Sequence, residues 1–242
     1  MFGKEIFDKK KILIYGLGLS GKSCYKYLSK KSRITVFDDN NSLKNKKNSK
    51  IFLSLRNINN YKFDYVVLSP GINIKKCKLN NYLNKNHKKI ITELDIFYLA
   101  FKQNIKITIT GTNGKSTTCK LLHEVLLDQK FDTKLVGNIG NPILSSKNIK
   151  RKTIFVVEAS SYQLEYSKLF KTKYAVILNL SPDHLDRHKT LKNYVKAKFK
   201  LLSKQSKKNI SFVKKNDPLI EREIKTNKFK SKIIKVDTKE ES

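Results

Sequence analysis

The sequence predicts an α/β protein with two successive parallel-sheet domains, the second apparently incomplete. Two observations carry that prediction. Apolar runs of strand length alternate with helix-period stretches, and two glycine-rich turns each stand between a strand and a helix. Strand runs fall at 11–15, 33–37, 63–68, 89–92, 105–110, 153–158, 174–179 and 210–213. Helical periodicity marks 21–29, 93–101, 116–129 and 191–203. Strand, loop, helix, strand is how a parallel sheet covered on both faces is written. A fresh strand and a new glycine loop follow the helix at 93–101, which sets the expected domains at 1–93 and 94–242. The polar run 40–50 (NNSLKNKKNSK) reads as a solvated loop.

Composition narrows the class. At 39% hydrophobic and 10% aromatic, 242 residues suffice for buried cores. The formal charge is +32, yet only five of the 52 basic residues are arginine (Arg33, Arg56, Arg151, Arg187 and Arg222). Lysines spread from end to end fit a biased composition better than a nucleic-acid surface, which favours arginine and interleaved aromatics on one element. Cys24, Cys77 and Cys119 are odd in number and far apart, which fits a reducing compartment and neither a disulfide framework nor a zinc site. The run after Lys9–Lys11 is too short and glycine-rich for a signal peptide, and no run reaches the ~18 apolar residues of a span. The expectation is a soluble, cytoplasmic protein.

Glycine is scarce, so its placement is informative. KILIYGLGLSGKS sets Gly16, Gly18 and Gly21 directly after a strand and into a helix. Glycines there allow a tight turn and the approach of a phosphate to the helix N-terminus. The next strand ends at Asp38 and Asp39, where a ribose hydroxyl would be read. This is a Rossmann-like arrangement. Alone it does not separate a nicotinamide, a flavin, a UDP-sugar or no ligand at all.

The second loop is more specific. KITITGTNGKSTTCKLLHEVL runs a β-rich strand into Gly111, Thr112, Asn113, Gly114, Lys115, Ser116 and Thr117, then into an amphipathic helix. Backbone N–H groups of such a loop wrap phosphate oxygens, Lys115 offsets β/γ charge, and a hydroxyl of Ser116 or Thr117 is a candidate Mg2+ ligand. Ile109 stands where the usual eight-residue form has its first glycine, so the loop is a shorter P-loop.

Four further pieces follow in order: GNIGNP with Asn138, a strand ending at Glu158 before ASSYQLE, SPDHLDRH with Asp183, His184 and Asp186, and the helix with Lys196, Lys198 and Lys200. A carboxylate at a strand end beside a P-loop suits a second Mg2+ contact. His184 by itself reads as a turn histidine beside Asp183 or Asp186. Lys198 by itself is one lysine among many.

Taken together, GLGLSGKS, SPGI, TELDIF, TGTNGKST, GNIGNP, EASSYQLE, NLSPDHLDRH and YVKAKFKLL resemble the Mur ligases of peptidoglycan synthesis. They span residues 12–202, and EASSYQLE is similar to the form carried by the D-glutamate-adding branch. The resemblance implies ATP-dependent joining of D-glutamate to UDP-N-acetylmuramoyl-L-alanine through an acyl phosphate, in a cytoplasmic enzyme that is a monomer when complete, with no nucleic acid partner and no membrane insertion. It implies that Leu17, Gly18, Leu19, Ser20, Asp38, Asp39 and Gly71 hold the UDP moiety and that Asn138 contacts substrate. It places ATP on residues 111–117 and Mg2+ on Ser116, Glu158, His184 and Lys198, the last as a carbamate. Lys115, Asn138, Glu158, His184 and Lys198 would then serve catalysis.

The same resemblance implies a third, C-terminal domain that this chain lacks; the text ends at KEES, inside the expected ATPase domain. Two alternatives therefore stand beside the ligase: a non-catalytic binder of UDP-sugars and ATP, and a related amide ligase of the folate-polyglutamylating type.

Overall fold

The computed structural model describes residues 5–40, 51–139 and 142–237. Most of the polar run 40–50, together with Gly140 and Asn141, lies outside them. The chain forms two compact units. One comprises 1–102 with 142–145 and 166–169; the other comprises 103–141, 146–165 and 170–242. Both are α/β with parallel sheets, as the alternation of elements predicts.

In the first unit, β1 (Lys11–Tyr15), β2 (Arg33–Phe37), β3 (Tyr65–Leu68) and β4 (Ile90–Ile91) pair in the order β2-β1-β3-β4. Leu13 of β1 lies opposite Thr35 of β2 and Val66 of β3. The fully buried run from Ile12 to Tyr15 is why β1 is central. Leu13, Tyr15, Phe37, Phe63, Val66 and Leu68 belong to one core cluster. Helix α1 (Leu19–Leu28) follows the first glycine turn, α2 (Asn80–Lys85) precedes β4, and α3 (Glu93–Ala100) closes the unit.

Helix α3 begins in a capping box. Thr92 caps it, and the Asp95 side chain accepts from the Thr92 amide at 2.9 Å. Asp95 is fully buried and also accepts from Ser167 Oγ at 2.7 Å and from the amides of Lys168 and Leu169 at 3.0 and 2.8 Å. That is how residues 166–169 join the first unit. Packing of α3 with α1 carries this unit through Lys102, whereas the sequence pattern places the boundary at 93.

The second unit has β5 (Lys106–Thr110), β6 (Thr133–Gly137), β7 (Ile154–Glu158), β8 (Tyr174–Ile177), β9 (Ile210–Lys214) and β10 (Lys232–Val236). Their order is β10-β9-β8-β5-β7-β6. From β5 the chain runs outward to one edge, returns in β7, then crosses to β8 on the other side. The carboxyl ends of β5, β7 and β8 therefore flank a topological switch point, where open α/β sheets bind ligands. Helices α4 (Lys115–Asp128), α5 (Ser161–Glu165), α6 (Leu185–His188), α7 (Leu191–Ser203) and α8 (Pro218–Thr226) connect them. Ile109, Cys119 and Val156 form the core under α4. Asp217 caps α8 through the amides of Leu219 and Ile220, with Pro218 in the first turn.

Strands β6 and β10 and helices α2, α5, α6 and α8 are absent from the sequence expectation. Among the described residues no helix is long and apolar enough to cross a membrane.

Candidate functional site

Three side chains meet where the second glycine loop leaves β5, with Lys115 on the loop beside them. Glu158, the last residue of β7 and 1% exposed, accepts from Ser116 Oγ at 2.7 Å and from Asn138 Nδ2 at 3.1 Å. Backbone geometry fixes the pair: the Asn138 amide donates to the Glu158 carbonyl at 3.0 Å. Gly137 makes this possible, because at φ 115° a Cβ there would lie 2.1 Å from the Glu158 carbonyl oxygen. Lys115 folds back on the loop, its Nζ donating to the carbonyls of Gly111 at 3.0 Å and Thr112 at 2.6 Å.

Lys198 comes from α7. It is 2% exposed, and its Nζ donates to the Gly111 carbonyl at 2.6 Å and lies 4.7 Å from the Tyr194 ring centroid. Burial pushes its pKa down to about 7, with the nearby charge of Lys115 adding to the shift and Asp183 opposing it. A buried lysine that gives up its proton near neutrality is a nucleophilic amine, which solvated lysines are not.

Residues that the sequence reading did not single out hold the loop in place. Asn179, just after β8, accepts from the Asn113 amide at 2.9 Å and donates from Nδ2 to its carbonyl at 3.2 Å. Thr112 Oγ1 lies 2.9 Å from Tyr194 OH and accepts from the Ser181 amide at 3.0 Å. The Leu180 amide donates to Asp217 Oδ2 at 2.9 Å. No local signal marks Asn179 or Tyr194, since each acts across more than 60 residues of sequence.

His184 sits at the exit of β8 in a left-handed conformation (φ 52°) and is half exposed. It pairs with Asp183 at 3.4 Å, and its ring lies tilted by 39° beside that of Tyr162, centroids 4.8 Å apart; it has no hydrogen bond to Glu158, Ser116 or Lys198. Ser161, within EASSYQLE, lies 3.0 Å from His188 Nε2, and Arg187 pairs with Glu165 at 2.8 Å. Ser160 and Gln163 form a capping box for α5, which explains the SSYQ spacing.

The expected metal set is thus gathered in part. Among the described residues no group of three or more His, Cys, Asp and Glu side chains is placed to hold a metal. The adjoining oxygens of Ser116 and Glu158 are nevertheless hard donors of the kind Mg2+ takes.

In the first unit, Leu17 and Asp38 are joined, the Leu17 amide donating to Asp38 Oδ2 at 2.6 Å. Asp39 accepts from Tyr15 OH at 2.7 Å, and burial together with Asp39 pushes the Tyr15 phenol up. Gly18 caps α1. Gly21 is required by packing: a Cβ there would stand 1.9 Å from the Gly16 carbonyl oxygen. Leu19 is 80% exposed and Gly71 lies on an exposed turn. Glu93, at the start of α3, is buried, and that burial pushes its carboxyl up.

A parallel-sheet unit with a lysine-bearing glycine loop after its central strand and a carboxylate at the end of the neighbouring one has the build of a P-loop domain. Residues 109–242 match the Mur ligase middle domain, and residues 8–91 match a C2185-like N-terminal domain. The chain belongs to the Mur ligase family. It is 35% identical over 212 residues to the UDP-N-acetylmuramoylalanine–D-glutamate ligase of Rickettsia bellii (strain RML369-C), covering 86% of this chain and 46% of that protein. It is 34% identical to the ligase of the same name from Clostridioides difficile (strain 630), covering 87% and 49%. The chain thus spans about half the length of these relatives.

Among solved structures, the fold is shared with the UDP-N-acetylmuramate:L-alanyl-gamma-D-glutamyl-meso-diaminopimelate ligase from Neisseria meningitides. The TM-score is 0.60 at 15% identity, over 93% of this chain and 77% of that one. UDP-N-acetylmuramate-alanine ligase from Thermotoga maritima gives 0.50 at 18% identity, over 88% and 51%.

Proposed function

We propose that this chain carries the UDP-substrate and ATP sites of a ligase that joins D-glutamate to UDP-N-acetylmuramoyl-L-alanine. The observation that carries the reading is the meeting of Ser116, Asn138 and Glu158 beside the lysine-bearing loop. The relatives' names supply the substrates.

The chemistry follows from the residues. A carboxylate is a poor acyl donor, so a substrate carboxylate oxygen attacks the γ-phosphorus of ATP, ADP leaves and an acyl phosphate forms. The amine of D-glutamate then attacks the acyl carbon; it loses a proton, and phosphate leaves as the amide forms. Lys115 and the loop amides orient the phosphates and offset their charge, and positioning with electrostatics supplies most of the rate. Ser116, Glu158 and His184 would hold Mg2+, which supplies positive charge to the phosphate oxygens when bound. Lys198, as a neutral amine, would add to CO2 and release one N–H proton to solvent, becoming an anionic carbamate. Leu17, Gly18, Leu19, Ser20, Asp38, Asp39 and Gly71 would receive the UDP moiety, and Asn138 would contact the substrate.

The test is a coupled assay with both substrates and ATP. Expected is ADP release that requires UDP-N-acetylmuramoyl-L-alanine, with product only when D-glutamate is present. Binding of both nucleotides without product would assign the chain binding alone. Failure to bind any uridine nucleotide would favour another amide ligase of the superfamily.

A further inference from the structure

Helix α7 presents Lys198 and Tyr194 to the glycine loop; with a neighbouring face it forms a groove against α8. The groove has a volume of about 320 Å3, at the small end of the range for small-molecule sites. Leu191, Val195 and Leu219 give it an apolar lining, and Lys192, Lys196 and Arg222 a cationic one. None of these three cations has an ion-pair partner among the described residues. The single lining carboxylate, Glu223, accepts a 3.0 Å bond from Asn227 Nδ2. Thr226 Oγ1 donates to the Arg222 carbonyl at 2.9 Å. The anionic and hydroxyl groups are thus engaged within α8, while three cations remain.

We propose that the α7–α8 groove binds a small organic anion with an apolar body, an alkyl or aryl carboxylate. The cations select the head group and the aliphatic lining selects the body; an inorganic anion would use only half of the site. The volume admits a small molecule, and the charge excess, three cations to one engaged carboxylate, sets the sign of the ligand.

Both walls also reach the loop. From α7, Lys198 Nζ bonds the Gly111 carbonyl and Tyr194 OH meets Thr112 Oγ1. At the start of α8, Asp217 accepts from Leu180, the neighbour of the Asn179 that holds Asn113. A ligand that changes the spacing of α7 and α8 therefore alters nucleotide affinity, a second part of the proposal that rests on reading the loop as an ATP site.

The experiment is calorimetric titration of the chain, without ATP, against acetate, butyrate, octanoate and octanamide. Octanoate is expected to bind saturably at one site, with affinity rising roughly two- to fourfold per methylene from butyrate. A Lys196→Gln/Arg222→Gln double variant, altered only at exposed side chains, is expected to bind octanoate about tenfold more weakly. Unsaturable binding, equal affinity for octanamide, or an unchanged affinity in the double variant would overturn the site. Saturating octanoate is then expected to shift the affinity for a non-hydrolysable ATP analogue about threefold or more. An unshifted affinity would overturn the coupling. A chain that binds octanoate but no ATP analogue would overturn the loop assignment and leave the groove standing.

Discussion

The ammonium of Lys198 reaches the carbonyl of Gly111 at 2.6 Å, across 87 positions of sequence. The first glycine of the loop and the buried lysine of α7 therefore form one unit. A carbonyl in that place is a suitable resting partner for an amine that has no ion pair among the described residues.

Lys198 is expected to form a carbamate. Its pKa is pushed down to about 7, so the neutral amine that reacts with CO2 predominates above that pH, whereas solvated lysines reach the same state near 10.4. With 13C-bicarbonate at pH 8, carbon NMR should show one slowly exchanging carbamate signal that Lys198→Ala abolishes. A spectrum identical in the two proteins would remove the assignment.

Replacement of Lys115 by alanine should lower ATP cleavage about 100- to 1,000-fold, the usual effect of deleting one preorganised charge-stabilising group. The side chain is anchored only to loop carbonyls, so melting temperature should move little. An unchanged rate of amide formation would refute the role.

Asn179→Ala removes two hydrogen bonds to Asn113. At about 1 kcal/mol each, nucleotide affinity should fall roughly tenfold or more. Amide exchange at Asn113 should quicken while β8 keeps its protection.

Gly137→Ala is expected to be severely destabilising, by more than about 2 kcal/mol, since a methyl would enter the Glu158 carbonyl at a positive φ. Urea titration of the variant measures this, and a loss under 0.5 kcal/mol would contradict the close approach.

Lys106 gives a pH prediction. Burial lowers its pKa to about 8 from 10.5, so between those values the unfolded chain binds a proton that the folded one does not. Stability contributed through this residue therefore rises with pH across that window, by on the order of 2 to 3 kcal/mol. The wild-type protein should gain on Lys106→Met as pH increases from 8 to 10.5, and parallel stability curves would refute it.

The sequence made plain whatever rests on local pattern. Strands β1 and β2 fall at the expected residues because Ile12–Tyr15 and Ile34–Phe37 are unbroken apolar or β-branched runs. Both glycine loops follow their strands, and Glu158 ends β7 as expected. Strand β6 carries little strand signal because TKLVG mixes a lysine and a glycine into five residues, and β10 because an edge strand carrying Lys232 and Lys235 needs little apolar surface. Helices of four or five residues such as α5 and α6 leave no period to detect. Asn179 and Tyr194 are legible only once distant segments are brought together, and His184 matched the motif while its hydrogen bonds stay with its own turn.

The ring of donors around Asp95 sets an order of events during synthesis. Its partners Ser167, Lys168 and Leu169 are made 72 to 74 residues later than the carboxylate they enclose. At the usual pace of about 5–20 residues per second, the amino-terminal sheet waits roughly 4 to 15 seconds for the piece that completes it. Until then a carboxylate destined for the interior has only its local partner Thr92 and water, and the nascent first unit lacks the donors that enclose it.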